Sequence, residues 1–182
     1  EKLVNEHIDQ LLQIIARIWD STGRAPGLWK ADVDAAYRRV PVVSDHRKYL
    51  WEVIKHAGQI WVARHNATCF GATASVHAWN RVGALLAHLA RVILHLPVVR
   101  YVDDFFSADR EELAAHSLQC FARMCRLLLG EDSIQDRRME HGNPLTVLGV
   151  KVSTSYTKVV VWVADEKIEK WSGQLNPILQ RN

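Results

Sequence analysis

The stretch Val98-Val99-Arg100-Tyr101-Val102-Asp103-Asp104-Phe105-Phe106 sets two apolar arms around an acidic tip. Arms of this kind, joined by turn-favouring residues, read as a tight hairpin with buried strands. Adjacent carboxylates at such a tip repel, and desolvating them is costly unless a cation compensates. Asp also favours a solvated turn, so an isolated Asp-Asp pair carries little meaning. The apolar flanks make this pair a candidate cation site. A second acidic tip, Asp32-Val33-Asp34, ends the strand-like run Leu28-Trp29-Lys30-Ala31. Hard divalent cations are held by one or two carboxylates plus phosphates and water. Two such tips on one sheet would hold two metals for an in-line phosphoryl displacement. Alternation along a strand sends Asp34 away from Asp32, so Asp34 keeps the plain strand-end reading.

Working outward, residues 1–18 read as an amphipathic helix, with Leu3, Ile8, Leu11, Leu12, Ile15 and Ile18 near helical period. Residues 21–27 break it. A short strand is predicted over residues 28–34, then a turn of helix around 35–38. Tyr49–Ile54 and Gln59–Val62 around Lys55-His56-Ala57-Gly58 predict a hairpin. Helices are predicted over 73–94 and 110–129, the first with Pro97 beyond its end and the second stopped by Gly130. Strands are expected at 146–152 and 158–163 around a loop at 153–157, and Asp165 is expected to cap a last helix to about residue 175. This order predicts an α+β fold, an antiparallel sheet with helices packed on one face.

The 182 residues are 48% hydrophobic and 24% charged, which excludes a wholly disordered chain. The longest apolar run, Leu85 to Val99, is interrupted by His88, Arg91, His95 and Pro97, so no membrane span is expected. No leader is read in Glu1-Lys2-Leu3-Val4-Asn5-Glu6, and without an initial Met the chain reads as part of something longer. Cys69, Cys120 and Cys125 are expected as buried free thiols in a reducing compartment, and the nine histidines show no metal-ligand spacing. Segment 24–64 is basic, through Arg24, Lys30, Arg38, Arg39, Arg47, Lys48, Lys55 and Arg64. That suits a phosphate backbone or, equally, a solvated face. Trp51, Trp61 and Trp79 would stack on bases or, the favoured reading, pack in the sheet or core.

The runs Asp32 to Pro41, Cys69-Phe70-Gly71, Tyr101-Val102-Asp103-Asp104 and Leu148-Gly149-Val150 follow one another in an order that resembles the reverse transcriptases. Asp32-Val33-Asp34-Ala35-Ala36-Tyr37-Arg38-Arg39-Val40-Pro41 is similar to their first catalytic motif, and Cys69-Phe70-Gly71-Ala72-Thr73-Ala74-Ser75 to their second. Tyr101-Val102-Asp103-Asp104 matches the Tyr-x-Asp-Asp box, and Leu148-Gly149-Val150 resembles the element before the primer grip. The resemblance covers about residues 29–164. It implies Asp32 and Asp103 as ligands of two Mg²⁺ (or Mn²⁺) ions, with the Val33 carbonyl as a backbone ligand and Asp104 as the second acid of the catalytic set. It implies nucleotide contacts at Tyr37, Phe70 and Gly71, and a primer side at Tyr101, Leu148 and Gly149. The Tyr37 ring would fill the space of a 2′-hydroxyl and so select deoxynucleotides. Arg38, Arg39, Arg47 and Lys48 are candidate contacts to the nucleic acid.

On this resemblance residues 28–164 form a palm, 1–27 part of the fingers or a connecting helix, and 165–182 the start of a thumb or a connecting helix. The retrotransposon enzymes, especially the tyrosine-recombinase (DIRS-like) kind, look most similar. The expected partners are an RNA or DNA template-primer and deoxynucleotides, with the remaining fingers, thumb and any nuclease or recombinase domains in a larger polyprotein. The expected setting is intracellular, in cytoplasm or nucleus. The chain departs from the family at Cys69 and Val76, where Gln or Pro is usual, and at His77 and Trp79, where small or apolar residues are common. Two other readings stay open: a non-catalytic polymerase-like relic that binds nucleic acid or a protein, and a nucleotide cyclase. The cyclase reading lacks its Gly-Gly-acid turn.

Overall fold

The computed structural model describes residues 6–155 and 158–179. Leu3 of the predicted first helix, and Tyr156 and Thr157 of the predicted loop, lie outside the described residues. The chain runs α1 (Ile8–Thr22), β1 (Pro26–Asp32), β2 (Trp51–His56), β3 (Gln59–Arg64), α2 (Thr73–Ile93), β4 (Val99–Tyr101) and β5 (Asp104–Arg110). It continues through α3 (Ala114–Leu129), β6 (Met139–Gly142), β7 (Leu145–Val147), β8 (Val150–Thr154), β9 (Val159–Val163) and α4 (Asp165–Leu179). Strands β4-β5-β1-β6, in that order, form an antiparallel sheet; β7-β8-β9 form a second and β2-β3 a separate hairpin. The chain is therefore α+β with antiparallel sheets, as its pattern predicts.

Side chains alternate across β1 and β5, and both faces of the four-stranded sheet are apolar. Trp29, Ala31 and Phe105 face α2 and α3, where Phe121 stacks 5.5 Å from Trp29 and 4.9 Å from Phe105, centroid to centroid. Leu28, Val99, Phe106 and Ala108 face the other way and pack on Leu11 and Ile15 of α1 and on Leu145, Val147 and Val152. Helices thus cover both faces rather than one. The expectation of a single covered face fails because Leu28, Phe106 and Ala108 present a second apolar surface that water would otherwise wet.

Other boundaries also move. Asp104 to Arg110 is a full strand because all of it pairs with β1, from Asp32↔Asp104 to Pro26↔Arg110, and α3 starts only at Ala114. The predicted strand 146–152 is two strands folded at Leu148-Gly149, whose φ values of +50° and +78° are those of a type I′ hairpin turn. Asp165 opens the first turn of α4, and its carboxylate accepts a bond from Lys151 Nζ at 2.5 Å. The β2-β3 hairpin forms as predicted, but Trp51 and Trp61 are 55% and 57% exposed instead of packed. Neither face of this hairpin meets another sheet among the described residues. All three cysteines are free, but only Cys125 is buried as expected, Cys69 and Cys120 being half-buried; burial pushes the Cys125 thiol up to about 12. No helix among the described residues is long and apolar enough to cross a membrane.

Candidate active site

Strand pairing brings the two acidic tips together. Asp32, the last residue of β1, is the register partner of Asp104, the first of β5. One residue on, the Val33 N–H donates to the Asp103 carbonyl at 3.1 Å, stitching the end of β1 to the β4-β5 turn. Direct partners point to the same face of a sheet, so Asp32 and Asp104 share one face, with Lys30 and Phe106. The next residue diverges, since the Asp34 N–H donates to the Ser133 carbonyl at 2.8 Å.

Crowding is visible in the electrostatics. Burial first, then Asp103 and Asp32, push the Asp104 carboxyl up to about 6. Asp103 is also raised, chiefly by burial; a hydrogen bond from its own backbone opposes this and Asp32 adds to it. Lys30 and then Arg138 oppose the rise at Asp104, and Arg138, which the sequence reading did not single out, is the counter-charge of Asp103 and Asp32. One guanidinium nitrogen donates to Asp32 Oδ2, and the other lies 3.1 Å from Asp34 Oδ1. The 3₁₀ turn Asp136–Arg138 and the start of β6 deliver it. Its only trace in the sequence is the charged run Asp136-Arg137-Arg138. The other carboxylate oxygen, Asp32 Oδ1, is buried with no hydrogen-bond partner.

Among the described residues no three His, Cys, Asp or Glu side chains already converge at ligand spacing. The donor chemistry nevertheless fits a hard divalent cation. It comprises all-oxygen ligands, an orphaned buried oxygen on Asp32, and two neighbouring carboxyls whose anionic form is penalised by burial. A group left in that state is costly unless something positive meets it.

Tyr37 and Phe70 come together, their rings 4.9 Å apart and nearly perpendicular at 84°. Tyr37 also packs against the α2-α3 side of the core, while Phe70 is 65% exposed. Gly71 has φ +87°, a conformation that disfavours any side chain, and nothing stands within 4 Å of where a Cβ would be. The Leu148-Gly149 turn closes a cavity of about 350 Å³ with Lys30, Asp104, Phe106, Thr146 and Val147. Tyr101, the partner of Asp104 across the turn, lies beside His7, 6.3 Å between rings. Of the basic candidates, Arg39 is committed to the Asp34 carbonyl (3.0 Å) and to Asp132 (2.6 Å), and Arg47 to the Val42 carbonyl (2.9 Å). Arg38 lies 3.4 Å from His65 Nδ1, and Lys48 sits over the Tyr49 ring. No family model matches this sequence, and no curated protein matches it either.

Proposed function

We propose that the chain is the palm of a reverse transcriptase of retrotransposon type, DIRS-like, which extends a primer 3′-end with deoxynucleotides on an RNA or DNA template. The observation that carries the proposal is the meeting of Asp32 with Asp103 and Asp104 at one strand end, with Asp32 Oδ1 buried and unpartnered. Asp32, Asp103 and the Val33 carbonyl would hold the two Mg²⁺ or Mn²⁺ ions. When bound, these supply activation of the primer hydroxyl and neutralisation of the triphosphate charge. Asp104, with its raised pKa, tunes the total negative charge of the cluster. The Tyr37-Phe70 pair shapes the sugar pocket, and the cavity under Leu148-Gly149 lies on the primer side. Residues 1–27 are part of the fingers or a connecting helix, and 165–182 the start of a thumb or a connecting helix, of a larger polyprotein working in cytoplasm or nucleus.

Extension of an oligo(dT) primer on poly(rA), with dTTP and Mn²⁺, tests this directly. Asp103→Asn is expected to lower extension by about 100-fold or more, because a shared ligand is lost. Tyr37→Ala is expected to raise ribonucleotide use relative to deoxynucleotide by about 10-fold or more, the scale of one removed steric contact. Product formed from triphosphates without a primer would point to the cyclase reading instead. One observation favours a scaffold that has left catalysis: the Arg138 guanidinium pairs with both Asp32 and Asp34. Mn²⁺ titration separates the two readings. Tighter binding by wild type than by Asp103→Asn supports the polymerase, and equal, weak binding supports the scaffold.

A further inference from the structure

The turn that carries Asp103 and Asp104 is strained. Of its two central residues only Val102 has positive φ, at +55°. That is the type II′ pattern, whose first central position is normally glycine. A β-branched residue there is sterically unfavourable. The Val102 carbonyl is held from two sides, by the Trp79 indole N–H at 3.0 Å and by Arg100 Nη1 at 3.0 Å. Trp79, on α2, is 1% exposed, and Arg100, on β4, is 5% exposed. The second guanidinium nitrogen of Arg100 donates to Asn80 Oδ1 at 2.6 Å, next to Trp79 in the helix. Gly83 makes room for the guanidinium, since a Cβ there would lie 3.0 Å from Arg100 Cδ and 3.1 Å from Nη1. Glycine inside a helix and a guanidinium inside a core are each unfavourable alone. Here both, with the strained Val102, meet at one carbonyl oxygen.

We propose that Trp79 and Arg100 are positioning residues whose N–H groups clamp the Val102 carbonyl and thereby hold the Asp103-Asp104 turn against Asp32. The proposal rests on the reading of these acids as the cation site. Neither residue touches reacting atoms; both act through the backbone of the turn. The nearest reporter is Val33, whose N–H donates to the Asp103 carbonyl. If the clamp opens, the Val102 peptide relaxes toward negative φ and this bond is the first to be disturbed. Trp79 occupies a place where the sequence departs from the family it resembles, and the clamp gives that departure a physical role.

Trp79→Phe keeps a buried ring and removes the N–H. Its Val33 amide is expected to exchange about 10-fold faster and its Mn²⁺ affinity to fall about 10-fold, the scale of one hydrogen bond. The Trp29 and Ala31 amides, deeper in β1, keep their protection. Adding Val102→Gly removes the reason for the turn to relax and returns both readings to within about three-fold of wild type. Arg100→Met keeps the packing against Gly83, removes the donor and the buried charge, and gives the same local loss without a lower Tm. An unchanged Val33 amide in Trp79→Phe, an equal loss of protection all along β1, or no rescue by Val102→Gly overturns the proposal. If wild type and Asp103→Asn bind Mn²⁺ alike, the cation-site reading falls, and Val33 exchange alone then decides the clamp.

Discussion

At the scale of single residues, Asp104 shows what the site costs the fold. Its carboxyl is held at about 6, first by burial and then by Asp103 and Asp32. An acid whose folded pKa lies above its unfolded value binds its proton more tightly when folded. Ionising Asp104 therefore destabilises the metal-free protein, by nothing below the unfolded value of about 3.9 and by the full amount once pH has passed about 6. Asp104→Asn is expected to raise stability by about 1–2 kcal/mol at pH 7.5 in chelator, after allowance for solvent screening, and by nothing near pH 4. Urea denaturation at the two pH values checks this, and an equal gain at both would place its origin elsewhere. Asp32, Asp103 and Asp104 were legible in the sequence because carboxylates set among apolar residues are costly and stand out. Arg138 was not, since a surface-type residue 106 positions from Asp32 announces no partner. Trp79 and Arg100 were visible as residues, but only a fold shows which carbonyl they meet.

At the scale of elements, periodicity served where one face is apolar and the other wet. Helices α1, α2 and α3 and the β2-β3 hairpin follow from it, because Leu11 and Ile15 or Ala57-Gly58 fall where burial or a tight turn needs them. It failed at β6, Met139–Gly142, a short edge strand with no buried residue and hence no alternation to read. It failed again at Leu148-Gly149, where one apolar run is two strands. Nor could it say which apolar faces find a partner. Trp51, Val53, Ile60 and Val62 all lie exposed on the two-stranded hairpin. An isolated two-stranded hairpin is at best marginally stable in water. The β2-β3 amides are accordingly expected to exchange at least about 100-fold faster than those of β1 and β5, whose bonds lie between two packed layers. Exchange followed residue by residue by NMR would show it, and equal protection in the two sheets would mean that the hairpin is covered in solution.

At the scale of the molecule, the site depends on a register. A slip of one residue between β1 and β5 would turn Asp32 to the face opposite Asp104 and carry Trp29 and Leu28 to the wrong cores. Packing on both faces opposes that slip. Trp29, Phe105 and Phe121 lock one side, and Leu28, Phe106, Leu11 and Ile15 lock the other. Two cores packed on one sheet share its strands, so the two are expected to unfold together. Phe121→Ala, which removes the ring between Trp29 and Phe105, is expected to cost about 3–5 kcal/mol, and Ile15→Ala on the opposite face about 2–5 kcal/mol. Both should shift a single denaturation transition that far-ultraviolet circular dichroism and tryptophan fluorescence trace together. If Ile15→Ala instead splits the transition, with the Trp29 amide still protected from exchange after the loss of α1, the two faces fold independently and the register of the acids is held by the α2-α3 side alone.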